Sequence, residues 1–424
     1  MAIGVRKQTS DASGDARLSY ARPLLRGVML FFLLAFLLLW LKSYDERALM
    51  LAVIVPVIIY IGVQGIPRLF PADRLLLSLT NFLCALGVLV LYRLSPERGL
   101  QQAVNFGVGV AAMLICTVAV RYIRGWKGIV LLLVPASIGL LALPLLYGTE
   151  VYGAKNWVTI AGFGFQPSEL VKLSLIVILS WLLSRRKVAL SILVTGVCLG
   201  LLMLQKDLGT ALLYYGVALL AIWAATDSGL LLALGCVGAG GAGVLGYRMF
   251  AHVKRRVAVW LNPWSDRQGS GYQIVQGLIA IANGGLFGTG LGLGNPGVIP
   301  ASYNDYIFAV ICHEFGVLFG IVVLLFFLAL IMRGISIARQ SDSVFHSLLA
   351  LCCTALIGLQ TFVIVGGNIK LIPLTGVTLP FISYGGTSLV SSMCLIGFLQ
   401  GVAARNTAQL AEAEKRARFE EERP

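Results

Sequence analysis

One stretch of this chain concentrates groups able to do chemistry. Between positions 252 and 273 a single carboxylate, Asp266, lies among four cations, Lys254, Arg255, Arg256 and Arg267, with Trp260 and Trp264 close by. Guanidinium groups hold phosphate or pyrophosphate through paired N–H donors. A carboxylate within reach of a hydroxyl can take its proton. The same residues admit a plainer reading. Asp and Arg in a segment containing Pro263, Gly269 and Gly271 form turns, and an exposed Asp–Arg pair contributes little. Spacing alone leaves both readings open. The tryptophans suit a membrane–water boundary.

Other ionisable groups sit at the ends of apolar runs or within them, where they are costly and mark candidate sites. Ser168 with Glu169 and Lys172 opens one run, Lys206 and Asp207 separate two more, and His313 with Glu314 follows Asp305 by about two helical turns. Each group can equally be a helix cap or an internal ion pair. Carboxylates facing a common cavity would also serve a proton pathway, which keeps transport in view. The glycines of residues 282–297 space as GxGxGxG rather than GxGxxG, and no βαβ unit surrounds them, so a nucleotide site is excluded in favour of close backbone approach. Eight cysteines lie inside apolar runs without CxxC spacing and read as small core residues.

The elements that must position these groups are apolar helices. Hydrophobic residues make up 58% of the 424 positions and charged residues 12%, far from the roughly 25% charged composition of a soluble domain. The chain reads as an all-α polytopic membrane protein. Runs near 20 residues fall at about 27–41, 48–66, 74–92, 102–123, 128–148, 168–184, 189–204, 208–225, 229–250, 306–331, 344–366 and 387–403. Gln205, Lys206 and Asp207 alone split the seventh from the eighth, so ten to twelve spans are expected. The net charge of +14 falls in short clusters between spans, which argues against a nucleic-acid partner. With the N-terminus inside, twenty of the 33 basic residues lie in inner segments, so both termini are expected in the cytoplasm. Three outer segments, 149–167, 251–305 and 367–386, exceed the usual length of a connector. Function is expected on that outer face.

Ordered motifs identify a family resemblance. Gly153, Ala154, Lys155, Asn156 and Trp157, then Gln166 to Lys172, then Asp207 to Thr210, resemble motifs of the SEDS family (shape, elongation, division and sporulation; the RodA/FtsW/SpoVE-like proteins). The order continues with Asn262 to Gln273, Asp305 to Val310 with Glu314 to Gly316, and Asn368 through Pro373 to Ser388, including Ser383 and Ser388. The resemblance covers about residues 74–403. It implies a helical bundle of ten core transmembrane helices with large extracytoplasmic loops, of which 251–305 is the catalytic one. Residues 27–66 would add two N-terminal helices, 1–26 a basic cytoplasmic arm and 404–424 a charged cytoplasmic tail.

The resemblance further implies a peptidoglycan glycosyltransferase that polymerises lipid II on the outer face of the bacterial cytoplasmic membrane, in elongation, division or sporulation. A class B penicillin-binding protein would be its partner and membrane lipids its surroundings. Asp266 falls on the family's essential loop aspartate and becomes the candidate base. Lys155 would either keep it ionised or bind substrate with Lys254, Arg255, Arg256 and Arg267, which would face the pyrophosphate. Trp157, Glu169, Lys172, Ser383 and Ser388 complete the expected substrate site. A divalent cation, Mg2+ or Mn2+, is compatible with this chemistry, but no cluster has ligand spacing, so no metal-binding residue is named. Three positions depart from the pattern: Asn262, Lys206 and His313. Asn262 weakens any metal held by two loop carboxylates, and Lys206 makes Asp207 a structural ion pair. Two other functions remain: a flippase for a lipid-linked precursor, using Glu169, Asp207 and Glu314, and a non-enzymatic scaffold for a penicillin-binding protein.

Overall fold

The computed structural model describes residue 23 and residues 25–421, apart from 152, 153 and 161. Most of the basic arm (Arg6, Lys7, Arg17, Arg22), Gly153 of the first outer motif and residues 422–424 at the end of the tail therefore lie outside the described residues.

Apolar runs separated by charged breaks fold as an up-and-down bundle. α1 (Leu25–Ser43) and α2 (Glu46–Tyr60) form a hairpin, and α2 continues through a wide π turn into the short α3 (Ile66–Leu69). Next come α4 (Arg74–Leu94), α5 (Pro96–Tyr122) and α6 (Trp126–Tyr147). Three short strands follow, β1 (Thr149–Val151), β2 (Ala154–Ile160) and β3 (Phe163–Phe165). Then stand α7 (Pro167–Ser184), α8 (Val188–Leu204), α9 (Leu208–Thr226) and α10 (Gly229–Met249). α11 (Ala251–Leu261), α12 (Tyr272–Gly284), α13 (Ile307–Phe315), α14 (Val317–Arg339), α15 (Val344–Asn368) and α16 (Gly386–Glu421) complete the order.

Among the described residues, eleven helical segments are long and apolar enough to cross a membrane, and the 17-residue α8 is a shorter apolar helix. The break at 205–207 is a true turn: Lys206 adopts a left-handed φ of 60°, and Asp207 caps α9 by accepting from the Thr210 N–H at 3.2 Å. Packing sorts the helices. In α4, 89% of the apolar window is buried, against none of it in α10. A helix apolar all round belongs in a core or against lipid, and these two occupy those extremes. α10 leans on α9, where the Tyr215 hydroxyl donates to the Gly235 carbonyl at 2.5 Å. Ile115, Leu131, Leu132 and Val237 stay exposed, a belt that lipid rather than water would cover.

The structure departs from the sequence expectations in three places. β1, β2 and β3 form a small three-stranded antiparallel sheet, with Val158 opposite Phe165 and Thr159 opposite Gly164. The segment 251–305 carries two helices instead of an open loop. The tenth expected span breaks at Gly316, whose φ of 89° ends α13 and begins α14. A Cβ there would stand 2.2 Å from the Leu286 carbonyl oxygen, so the break needs glycine for space as well as for conformation. The charged tail is helical through Glu421 and runs on from the last span within α16.

Candidate active site

The sheet, the α8–α9 turn, α11 and the segment 300–305 meet at one end of the bundle around a cavity of about 880 Å3. α11 supplies its cationic wall through helical periodicity. His252, Arg255, Arg256 and Val259 fall at i, i+3, i+4 and i+7 on one face and line the cavity, whereas Lys254 points elsewhere and is exposed. Arg256 is fixed from across the cavity, its Nη1 donating to the Thr375 carbonyl at 3.2 Å. The Trp260 indole donates to the Lys370 carbonyl at 3.0 Å, tying α11 to the segment after α15. Burial, with the charges of Arg256 and Lys206 adding to it, holds the His252 imidazolium below its usual pKa. That ring is therefore neutral near pH 7.

The strand and the α7 start form the opposite wall. Strand alternation turns Ala154 and Asn156 toward the cavity, which Trp157 also lines, and sends Lys155 toward α6. There the Lys155 Nζ donates to the Leu145 carbonyl at 2.9 Å, satisfying a carbonyl of the last turn of α6. The expected pairing of Lys155 with Asp266 is thus not formed. Glu169 and Lys172 do pair, one turn apart on α7, and the Ser391 hydroxyl donates to Glu169 Oε2 at 2.6 Å. Both line the cavity, with the Lys172 side chain 3% exposed. Asp207 also faces it, but its expected ion pair with Lys206 is replaced. Its Oδ2 accepts from Asn156 Nδ2 and Gln166 Nε2, each at 3.0 Å. The left-handed backbone at Lys206 turns that side chain into the cavity on its own.

Asp266 stands at the end of a 3-10 turn, Pro263–Asp266, exposed and outside the cavity lining. Its Oδ2 accepts from both the Ser270 hydroxyl and the Ser270 N–H at 2.7 Å. These bonds, with the charge of Arg255 a smaller contribution, hold its carboxyl below the usual range. The arrangement needs Gly269, because a Cβ at that position would come within 2.5 Å of both carboxylate oxygens. Ser270 and Gln273 of the same segment do line the cavity, so Asp266 sits on its rim. Arg267 is exposed and not part of the lining. Ser388 lines the cavity and shares a 2.6 Å hydrogen bond with Thr378. Ser383 is buried behind it, where it donates to the Asn304 carbonyl at 2.8 Å and accepts from the Leu379 N–H at 2.9 Å. Its part is to join two loops.

Sequence reasoning passed over His252, which only the helical register of α11 could have joined to Arg255 and Arg256. It gave Asp305 a place in a motif and beside the candidate proton pathway, not in the transferase site. Asp305 lines the cavity, and burial pushes its carboxyl up to about 6 against the opposing pull of Arg256. Glu314 lies apart, in a buried pair with Arg93 at 2.9 Å, where its side chain is 1% exposed. Among the described residues no group of three His, Cys, Asp or Glu side chains is arranged to hold a metal.

A family model described as a cell cycle protein, FtsW/RodA/SpoVE, matches residues 73–408. Among curated proteins, the chain is similar to a peptidoglycan glycosyltransferase RodA of Mycobacterium bovis, 33% identical over 371 residues and covering 78% of each chain. Stage V sporulation protein E of Bacillus subtilis is 33% identical over 358 residues, covering 78% of this chain and 96% of that one. Among solved structures, a chain from work described as "Structural coordination of polymerization and crosslinking by a peptidoglycan synthase complex" superposes with a TM-score of 0.66 at 26% identity. It covers 79% of this chain and 98% of that chain.

Proposed function

The chain belongs to the FtsW/RodA/SpoVE family of cell cycle proteins, and we propose that its cavity joins lipid-linked disaccharide units into glycan strands. It is a multi-pass membrane peptidoglycan glycosyltransferase. The substrate is lipid II, the membrane is the bacterial cytoplasmic membrane, and the cavity opens on the outer side with both termini inside. The partner is a class B penicillin-binding protein that cross-links the strands.

One observation carries this reading: a large cavity with cations on one helical face lies at the end of a bundle whose outer helices are apolar. Arg255 and Arg256 would take the pyrophosphate, Arg through paired N–H donors, and the Lys172 ammonium and Trp157 would border the sugars. Lys254 and Arg267, exposed on the same segment, would steer the anion toward the site. The carboxylates Glu169 and Asp207 are already engaged by Lys172, Ser391 and amide donors. A divalent cation, Mg2+ or Mn2+, would therefore be held by the substrate's pyrophosphate, not by these groups. Asp266 takes the proton of the acceptor's 4-hydroxyl in a single inverting displacement at C1. To do so its carboxylate leaves Ser270 and turns inward from the rim.

The test is lipid II polymerisation by purified chain, alone and with a class B penicillin-binding protein, read as glycan length. Loss of a positioned base costs about 10²–10⁴ in rate, so Asp266→Asn and Asp266→Ala should both fall by at least about 100-fold. Near-normal glycan from Asp266→Ala would remove Asp266 as the base. Movement of labelled lipid II across vesicles without any polymer would replace the polymerase by a flippase.

A further inference from the structure

The carboxylates lining the cavity differ in what holds them. Glu169 has Lys172 and Ser391, and Asp207 has three N–H donors. Asp305 has neither kind of support: among the described residues no donor hydrogen-bonds its carboxylate, although the residue lines the cavity. Its main chain, by contrast, is fixed. Asn368 Nδ2 donates to the Asp305 carbonyl at 2.6 Å, and Asn368 Oδ1 accepts from the Ala309 N–H at 3.2 Å, locking the entry to α13 onto α15. Asn368 is itself fully buried. A reactive group held this way needs no reorganisation to act.

Arg256 and Asp305 converge on one turn. Arg256 donates to the Thr375 carbonyl, and a Cβ on Gly376 would stand 3.9 Å from Asp305 Oδ2. Asp305 is thus on the side of the cavity where a pyrophosphate would be bound. An ionised carboxylate there would repel that anion, whereas a protonated one would donate a hydrogen bond to it.

Resting on the polymerase reading above, we propose that Asp305 is a second catalytic residue, the general acid that protonates the departing pyrophosphate oxygen. The C1–O bond to pyrophosphate breaks with its electron pair on that oxygen, which receives the Asp305 proton. The acceptor's O4 bonds to C1, and its proton passes to Asp266. Solvent then takes one proton from Asp266 and returns one to Asp305, so none is gained or lost overall. Two carboxyl groups whose surroundings push them in opposite directions are the pattern of a paired base and acid. In the resting site Ser270 depresses Asp266 while burial raises Asp305 to about 6. Titratable and charged groups around Asp305 are Arg256, Arg255 and the neutral His252 on α11, Tyr306 beside it, Lys206 and Asp207 at the α8–α9 turn, and the Glu169–Lys172 pair on α7. Of these, Arg256 is the one that lowers it. An arriving pyrophosphate offsets Arg256 and raises the carboxyl further. The acid form is the active one, so turnover declines as pH rises through this pKa, at about 6 or above.

The experiment is steady-state polymerisation of lipid II from about pH 5 to 9, with the intact chain in complex with a class B penicillin-binding protein, for wild type, Asp305→Asn and Asp305→Glu. Asp305→Asn retains a hydrogen-bond donor but cannot yield a proton. Its kcat should fall about 100-fold or more, its KM should stay within a few-fold, and the basic limb of the pH profile should disappear. Asp305→Glu should recover part of the rate together with that limb. Because Asn removes a partly buried carboxylate that no donor supports, the Tm should hold or rise. Wild-type kcat with the basic limb intact in Asp305→Asn overturns the assignment while the polymerase reading survives. A fall in Tm and rise in KM matching the lost rate also overturn it, since a structural role would do that. If wild type makes no glycan, both readings fall.

Discussion

Replacing Asp207 should unfasten three elements at once. Its carboxylate caps α9 through Thr210 and accepts amide N–H groups from Asn156 on β2 and Gln166 before α7, in a setting where it is 9% exposed. In Asp207→Ala the lost cap costs about 1 kcal/mol. Each of the two amides left without its charged acceptor adds about 1–3 kcal/mol where water cannot replace it. The cavity beside them is open to water, so the lower end applies, and a total of about 3–4 kcal/mol follows. Asp207→Asn keeps an acceptor oxygen for the cap but presents its own N–H donors to the two amides, so about 2–3 kcal/mol is expected. Unfolding entropy near 2.1 cal/mol/K per residue converts the larger figure to roughly 4 °C for a chain of this length. A thermal melt of purified protein in lipid nanodiscs reads this directly. The double variant Asp207→Ala with Asn156→Ala should lose clearly less than the sum of the two single losses, because the amide is no longer stranded. An Asp207→Ala melt within experimental scatter of wild type would refute the reasoning, as would strict additivity in the double variant.

Arg93→Met strands the buried Glu314 carboxylate, and breaking one side of a buried pair costs about 3–5 kcal/mol; Arg93→Met with Glu314→Gln should regain much of it in the same melt. Gly269→Ala pushes a methyl group into the Asp266 carboxylate oxygens. The flexible side chain can yield, so polymerisation should change by severalfold or more while the Tm stays within about 1 °C; an unchanged rate would show that the Asp266–Ser270 geometry is irrelevant to turnover. Arg256→Gln removes the charge that lowers the Asp305 pKa, so the basic limb of the pH–rate profile should move to higher pH. It should also raise the KM for lipid II and weaken its salt dependence, both measurable in one titration series.

How much of this was legible in the sequence depends on whether an interaction leaves a local pattern. The apolar runs require helices that cross a membrane, and most of their bounds fall within a few residues of the helices, because satisfying the backbone in lipid leaves few alternatives. The break of the tenth run at Gly316 was hidden. Residues 286–288 stand where a Cβ on that glycine would be, and no periodicity records a contact between such distant positions. The cation set on 254–267 was visible as composition, but its division was not. Only the helical register of α11 separates Arg255 and Arg256, on the cavity face, from Lys254, and joins His252 to them. The expected pairing of Lys155 with Asp266 is not formed for a related reason: strand alternation decides its side, and the neighbour it meets there is the carbonyl of Leu145 at the end of a different helix. The carboxylates show the same limit most sharply. Asp207, Asp266 and Asp305 are alike as letters in motifs. Among the described residues, one accepts from amide donors, one from a serine four residues ahead, and one faces a cavity without a donor. The surroundings lower the Asp266 carboxyl and raise that of Asp305, so the proposed division into base and acid rests on tertiary structure and not on the motif.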